Sequence, residues 1–254
     1  QQISLTDPDA RSMATSGRGT GMVGYNVQVA VDAKHHLIVA HEVTNVGHDR
    51  TRLANMAQQA KDVIGTKKLE VVADRGYFSG EELLVCAGAG ITTYLPRPQT
   101  SGNLAKGPFG KRDFIYRPEE DEYECPAGER LIRRVSQEEK GKTIHRYWST
   151  ACSCCAIKSQ CTDGKHRCVS RWEHEAVVDA VQTRLDREPE RMRARRETVE
   201  HPFGTIKSWM GSTHFLSWGL PAVSTEMSLH VLAYNMKPMM NIIGTKPLTE
   251  AIRA

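Results

Sequence analysis

The chain has 254 residues and a mass of 28.4 kDa, enough to bury a substantial core without disulfide stapling. Its apolar share of 39% and charged share of 25% are those of a soluble globular protein, and no apolar run approaches the roughly 18 residues of a membrane span, which excludes a membrane-spanning role. Thirty-four lysines and arginines against 30 aspartates and glutamates leave a net charge of +4, a bias that permits a nucleic-acid partner without requiring one.

The opening QQISLTDPDARS has no initiator methionine and reads as part of a longer or processed protein, with an upstream domain expected. In VGYNVQVAVDAKHHLIVAHEVTNV, Tyr25, Val27, Val29 and Val31 alternate with Asn26, Gln28 and Ala30. That period of two marks a strand, and a polar break at Ala33 to His36 precedes a second strand, Leu37 to Val43, so a hairpin is expected. Leu53, Met56, Ala57, Ala60 and Ile64 then form one stripe of a helix over 50–64. A third strand is predicted at Leu69 to Ala73, a helix capped by Ser79 as far as Ala87, and a short strand at Ile91 to Leu95.

At Pro96 the composition changes. From there to about Ser170 come Gly and Pro turn signals, an acidic PEEDEYE patch and most of the cysteines, with no long helical stripe. This reads as an insert and divides the chain into 1–95, 96–170 and 171–254. Helical periodicity resumes near Trp172 and runs through Ala176, Val177 and Val181. A basic stretch leads into RARRETVEHPFGTIKSWM, where Pro202 is expected near an end or kink. The tail presents Met227, Leu229, Leu232, Ala233 and Met236 and reads as a buried terminal helix. The pattern as a whole is α/β.

Three acids stand out. Asp32 closes a strand of small and apolar residues, and Asp74 stops the apolar run of LEVVADRGY. A carboxylate in such a place is costly to bury unless it is paired, hydrogen-bonded or bound to a metal. Acids at two strand ends can converge, and hard oxygen ligands suit Mg²⁺ or Mn²⁺. The alternative for each is a turn residue that merely ends its strand. Glu200 lies in Arg196-x₃-Glu200-x₆-Lys207. On a continuous α-helix, at roughly 100° per residue, the three fall within about 40° of one another, with Glu197 about 60° from Glu200. A metal site flanked by phosphate-binding cations is one reading, a solvated ion-pair ladder the other. Arg191, Arg193, Arg195 and Arg196 set four positive charges beside the glutamate.

The stretches GYNVQVAVDAKHHLIVAHEVTN, VVADRGYFSGEEL and RRETVEHPFGTIKSWMG closely resemble the catalytic segments of bacterial insertion-sequence transposases of the three-acid (DDE) type. The resemblance runs over nearly the whole chain from SLTDPDARSM. It implies a ribonuclease-H-like mixed sheet with flanking helices, and Asp32, Asp74 and Glu200 around two divalent ions. The family signature has a tyrosine before the arginine, glutamate and lysine. Arg196, Glu200 and Lys207 match it, while Arg193 stands where the tyrosine is usual and does not support stacking on a DNA base. Arg193, Arg196, Lys207 and Arg75, which follows the second acid, are expected on DNA, and Tyr77 packs against or supports the site.

Seven cysteines, an odd number, include five within Cys152 to Cys168, which points to thiols or a metal in a reducing, cytoplasmic compartment. Cys125, Cys152, Cys155 and Cys161 suit a closed, structural zinc site. Cys154, Cys168, His145 and His166 are rival ligands, and unligated thiols are the alternative. Similar transposases carry a comparable cysteine pattern in an insert between the second aspartate and the glutamate. His35, His36 and His41 are assigned solvated or packing roles.

The resemblance thus implies a DNA transposase that cleaves and transfers strands at element ends with Mg²⁺ or Mn²⁺. Its partners are double-stranded DNA at transposon ends and at the target, and a second copy of the chain when on DNA. A hydrolytic metal-dependent nuclease and a catalytically inactive DNA-binding remnant are the alternatives.

Overall fold

In the computed structural model, which describes residues 4–13, 22–98 and 109–253, the chain forms two units, Gln1–Arg97 with Ala180–Ala254, and Pro98–Asp179. Residues 99–108 of the expected insert lie outside the described residues.

The first unit opens with two short strands that the sequence reading did not anticipate, β1 (Arg11–Met13) and β2 (Met22–Gly24), paired antiparallel. The expected hairpin follows as β3 (Asn26–Val31) and β4 (Ile38–Thr44). Ala30 pairs with Ala40 and Val31 with Ile38, so Val39 is an extra residue and the strand bulges just before Asp32. Bulges re-aim side chains at strand ends. Helix α1 (Leu53–Ile64) buries Leu53, Met56, Ala57 and Ala60, the stripe expected of it apart from Ile64, which is exposed. Gly65 ends the helix in the left-handed conformation, φ +69°, that favours glycine. Strand β5 (Leu69–Val72), helix α2 (Gly80–Gly88) and strand β6 (Ile91–Tyr94) complete this half, with β5 and β6 parallel as a crossover helix requires. Ser79 occupies the N-cap of α2 without a side-chain capping bond.

Backbone pairing does not join these strands into one mixed sheet. Among the described residues β3–β4 and β5–β6 are separate pairs. A cavity of about 490 Å³ is lined by residues of both β3 and β5.

In the second unit, β7 (Ile115–Arg117), β8 (Glu122–Glu124), β9 (Arg130–Glu139), β10 (Lys142–Trp148) and β11 (Val169–Trp172) form one antiparallel sheet in the order β11-β10-β9-β8-β7. Phe114, Tyr123, Leu131, Tyr147 and Val169 make its core. Tyr147, wholly buried, donates its hydroxyl to Asp121 at 2.6 Å, and Tyr116 donates to the same oxygen at 2.8 Å. The Arg171 guanidinium lies 3.7 Å from the Tyr116 ring centroid and donates to Asp179 at 2.8 Å.

Helix α3 (Glu175–Arg187) carries the chain back to the first unit, where α4 (Arg191–Gly204), α5 (Leu220–Ile243) and α6 (Thr245–Arg253) follow. Pro202 sits two residues before the end of α4, and Thr205–Trp209 continues as a π-helical turn closed by Met210 N–H on Thr205 C=O. Helix α5 packs Val223, Met227, Val231 and Tyr234 against Ile38 and Val43, with Val27, Val29 and Val31 beside them. The tail is therefore helical as expected, but the apolar set chosen for its buried face is corrected. Leu229, Leu232 and Met236 are exposed, because the buried stripe runs through Val223, Met227 and Val231 and leaves Leu229 two residues, about 200°, away.

Candidate active site

The Asp32 carboxylate turns back on its own hairpin. It accepts backbone N–H groups from Lys34 at 3.3 Å and His35 at 2.8 Å, and the His35 ring nitrogen lies 3.0 Å away. Burial alone raises this carboxyl, but the amides and the imidazole outweigh it, so Asp32 titrates below the ordinary aspartate range. The turn includes His36 at φ +56° and is pinned from α5, where the Tyr234 hydroxyl donates to His36 C=O at 2.8 Å. Asn235 brackets Ile38, accepting its N–H at 3.0 Å and donating to its C=O at 2.8 Å.

Asp74 ends β5 and caps the 3₁₀ turn Arg75–Tyr77, with Oδ1 accepting Gly76 N–H at 2.8 Å. Its Oδ2 accepts from Arg195 Nη2 of α4 at 2.8 Å. Both carboxylates line the cavity between β3 and β5, together with Asp49, Tyr77 and Arg195. Glu200 is exposed and does not line it. The structure thus brings two of the three acids to one cavity and leaves the third outside. Among the described residues no three histidine, cysteine or carboxylate side chains are grouped to hold a metal ion.

The helical face expected to carry Arg196, Glu200 and Lys207 is interrupted. The α-helix stops at Gly204, and the wider π-turn, with less rotation per residue, leaves Lys207 short of the angle a continuous α-helix would give it. Its ammonium lies 5.8 Å from the Phe203 ring centroid. The four-arginine field is also reduced by pairing. Arg191 bonds to Glu70 at 3.0 Å and Glu188 at 2.8 Å, Arg193 to Glu197 at 3.0 Å, and Arg195 to Asp74. The Arg193 side chain is nevertheless 85% exposed, and such surface pairs are weak. Arg75, Arg196 and Lys207 are exposed.

Beyond the Asp32 turn a larger cavity, about 790 Å³, is lined by His35, His36, His201, Trp209, Tyr234 and Lys237 among others. His35 lines it while bonded to Asp32, and His201 Nδ1 lies 3.1 Å from the Tyr234 hydroxyl. In the second unit, Cys125, Cys152, Cys155 and Cys161 line a small cavity of about 20 Å³, whereas Cys154 and Cys168 do not line it. Burial pushes the Cys161 thiol up, Arg167 opposes this, and the other three thiols add to it.

Sequence reasoning missed Asp49, Gln28, Asn26 and Arg195. Asp49 precedes α1 by four residues and looks like a helix-start residue, yet its carboxylate faces β3, accepting from Asn26 Nδ2 and Gln28 Nε2, each at 2.7 Å. Gln28 reads as the polar side of an alternating strand but is 1% exposed, because α1 and α5 pack on opposite sides of the hairpin. The one available signal was a pair of amides, Asn26 and Gln28, in an otherwise apolar strand.

The family model of the transposase DDE domain matches residues 1–236. No curated protein and no solved structure matches the chain. The chain belongs to the transposase DDE domain family, whose members move DNA by metal-dependent cleavage and transfer.

Proposed function

We propose that this chain is the catalytic domain of a DNA transposase that cuts and joins strands at the ends of an insertion element, with Asp32, Asp74 and Glu200 as its acids. One observation carries the reading: Asp32 and Asp74, at the ends of separate strand pairs, open on the same cavity. Their carboxylates are hard oxygen donors of the type that hold Mg²⁺ or Mn²⁺, and Glu200 on α4 is the third donor. When bound, two such ions activate the attacking oxygen and neutralise the leaving one.

The chain's own groups orient and neutralise the DNA. Arg195 holds Asp74 and brings a guanidinium to the cavity, where it neutralises a neighbouring phosphate. Arg75, Arg193, Arg196 and Lys207 carry exposed positive charge for the backbone on either side, contacts that position the duplex without reading its sequence. The same reading takes a ribonuclease-H-like arrangement with β3–β4 and β5–β6 at its centre, and a dimer on DNA. It includes a structural zinc in the second unit, for which Cys125, Cys152, Cys155 and Cys161 supply the thiolate chemistry and line one small cavity, although they are not grouped there closely enough to hold the ion.

The test is cleavage and joining of duplexes made from the DNA that flanks the coding sequence, with Mg²⁺ or Mn²⁺. Asp32→Asn, Asp74→Asn and Glu200→Gln are each expected to lower the rate by more than about 100-fold, the upper end for groups one layer outside a metal. Cleavage without joining would identify a hydrolytic nuclease. DNA binding without cleavage, indifferent to all three substitutions, would identify a non-catalytic remnant.

A further inference from the structure

No backbone ladder joins β3, which leads to Asp32, to β5, which leads to Asp74. Helices α1 and α4 pack on both strands, and side chains bridge them directly. Gln28, in the middle of β3, accepts the Tyr77 hydroxyl through Oε1, and Tyr77 closes the turn that Asp74 caps. Both amide protons of Gln28 are also used, on Asp49 Oδ1 at 2.7 Å and on Asn26 Oδ1 at 2.8 Å. Asn26 in turn donates to Asp49 Oδ1 at 2.7 Å. The other oxygen of Asp49 reaches the Asp74 turn, where a Cβ on Gly76 would stand 3.3 Å from Asp49 Oδ2 and 2.9 Å from Asp74 Oδ1.

We infer that Gln28, Asp49 and Tyr77 form a positioning unit that holds Asp74 at a set distance from Asp32, an inference that rests on the reading of those two acids as catalytic. An ionised carboxylate only accepts hydrogen bonds, so Asp49 orients the Gln28 amide, NH₂ toward itself and Oε1 toward Tyr77. Tyr77 must then donate. The Tyr77 backbone also meets the acid, its N–H donating to Asp74 C=O at 3.3 Å, so the ring and Asp74 belong to one turn. Gly76 is required for the same reason, since a side chain there would press on both carboxylates.

Tyr77→Phe deletes one oxygen and keeps the ring. In the full chain, single-turnover cleavage of the end-DNA duplex is expected to fall about 10- to 100-fold, the range for groups that orient metal ligands. The Mg²⁺ concentration for half-maximal rate should rise several-fold, while DNA affinity stays near wild type and the thermal midpoint falls by only a few degrees. Asp49→Ala, which removes the acceptor of both the Gln28 and Asn26 amides and so frees the Gln28 side chain to turn, carries the same expectation and decides the matter if Tyr77→Phe does not fold. Wild-type rate and Mg²⁺ midpoint in either folded variant would overturn the inference, as would a rate loss with no change in the Mg²⁺ midpoint. Asp74→Asn runs in parallel. If it still cleaves, the catalytic reading itself fails; if it is dead while folded Tyr77→Phe is wild type, only the positioning unit fails.

Discussion

The five strands of the second unit are joined by an unbroken run of backbone ladders, whereas the acid-bearing strands of the first unit, β3 and β5, are tied by side chains across a cavity. A ladder uses groups that every residue except proline carries, so it tolerates changes of side chain. A tie through Gln28, Asp49 and Tyr77 depends on single atoms. Specificity of sequence is therefore concentrated in the aromatic core of the second unit and in the polar core of the first.

The largest effect should come from Tyr147→Ala, which empties the centre of the second unit's core and removes a buried bond to Asp121. A loss of about 3–5 kcal/mol is expected in denaturant unfolding, with faster thiol labelling at Cys161. A loss under about 1 kcal/mol would show that the ladders suffice without the aromatic core. Gln28→Leu should follow at about 2–3 kcal/mol, since Tyr77 loses its acceptor and Asn26 and Asp49 each lose one of their partners at half-buried positions. Its contrast is Ser136→Ala on the exposed side of β9, expected within about 0.5 kcal/mol although a 2.8 Å contact to His145 is lost. Equal costs at these two sites would erase the distinction drawn above.

Gly47→Ala comes next. A Cβ there would stand 2.6 Å from the Ser12 carbonyl oxygen, which is backbone and has little room to yield. A cost of about 1–2 kcal/mol, read as a lower thermal midpoint, is expected; a neutral result would mean that β1 moves freely against this loop. The smallest effect concerns acid. At Asp121 burial raises the carboxyl, but the Tyr147 and Tyr116 hydroxyls and Arg133 outweigh it, so its folded pKa is depressed. Its contribution is then present above the unfolded aspartate value near 4 and lost as pH falls through the folded one. Asp121→Asn should flatten the acid limb of the stability curve and cost about 1 kcal/mol at neutral pH, after allowance for solvent screening. The left-handed backbone there, φ +52°, is one asparagine tolerates.

The strands and helices around the acids were legible because their apolar residues repeat at two or at 3.6. The α1 stripe is the clear case, with Leu53, Met56, Ala57 and Ala60 buried as its spacing requires. Alternation alone does not reveal whether the second face of a strand meets water, which is why Gln28 and Asn26 were read only as the other half of a pattern. The same limit applies to α5, where apolar residues occur on more than one side and the hairpin it covers selects Val223, Met227 and Val231. Asp32 and Asp74 were legible as acids that stop apolar strands. Arg195 was not, since four arginines lie between 191 and 196 and only the folded chain selects the one that meets Asp74. The separation of Cys154 and Cys168 from the other four insert cysteines is likewise a product of the loop's path.

The π-turn at Thr205–Trp209 makes residue count matter in this stretch as much as residue identity. A π-turn is what a helix forms when it holds one residue more than its α-helical course can take. Deleting a single residue there would return the segment to α geometry with its two flanks in nearly the same relative orientation, whereas the same deletion in the α-helical part of α4 would swing the residues beyond it by about 100°. A one-residue difference in length between the glutamate and this tryptophan is therefore best absorbed in this turn, where it disturbs the wall of the larger cavity least.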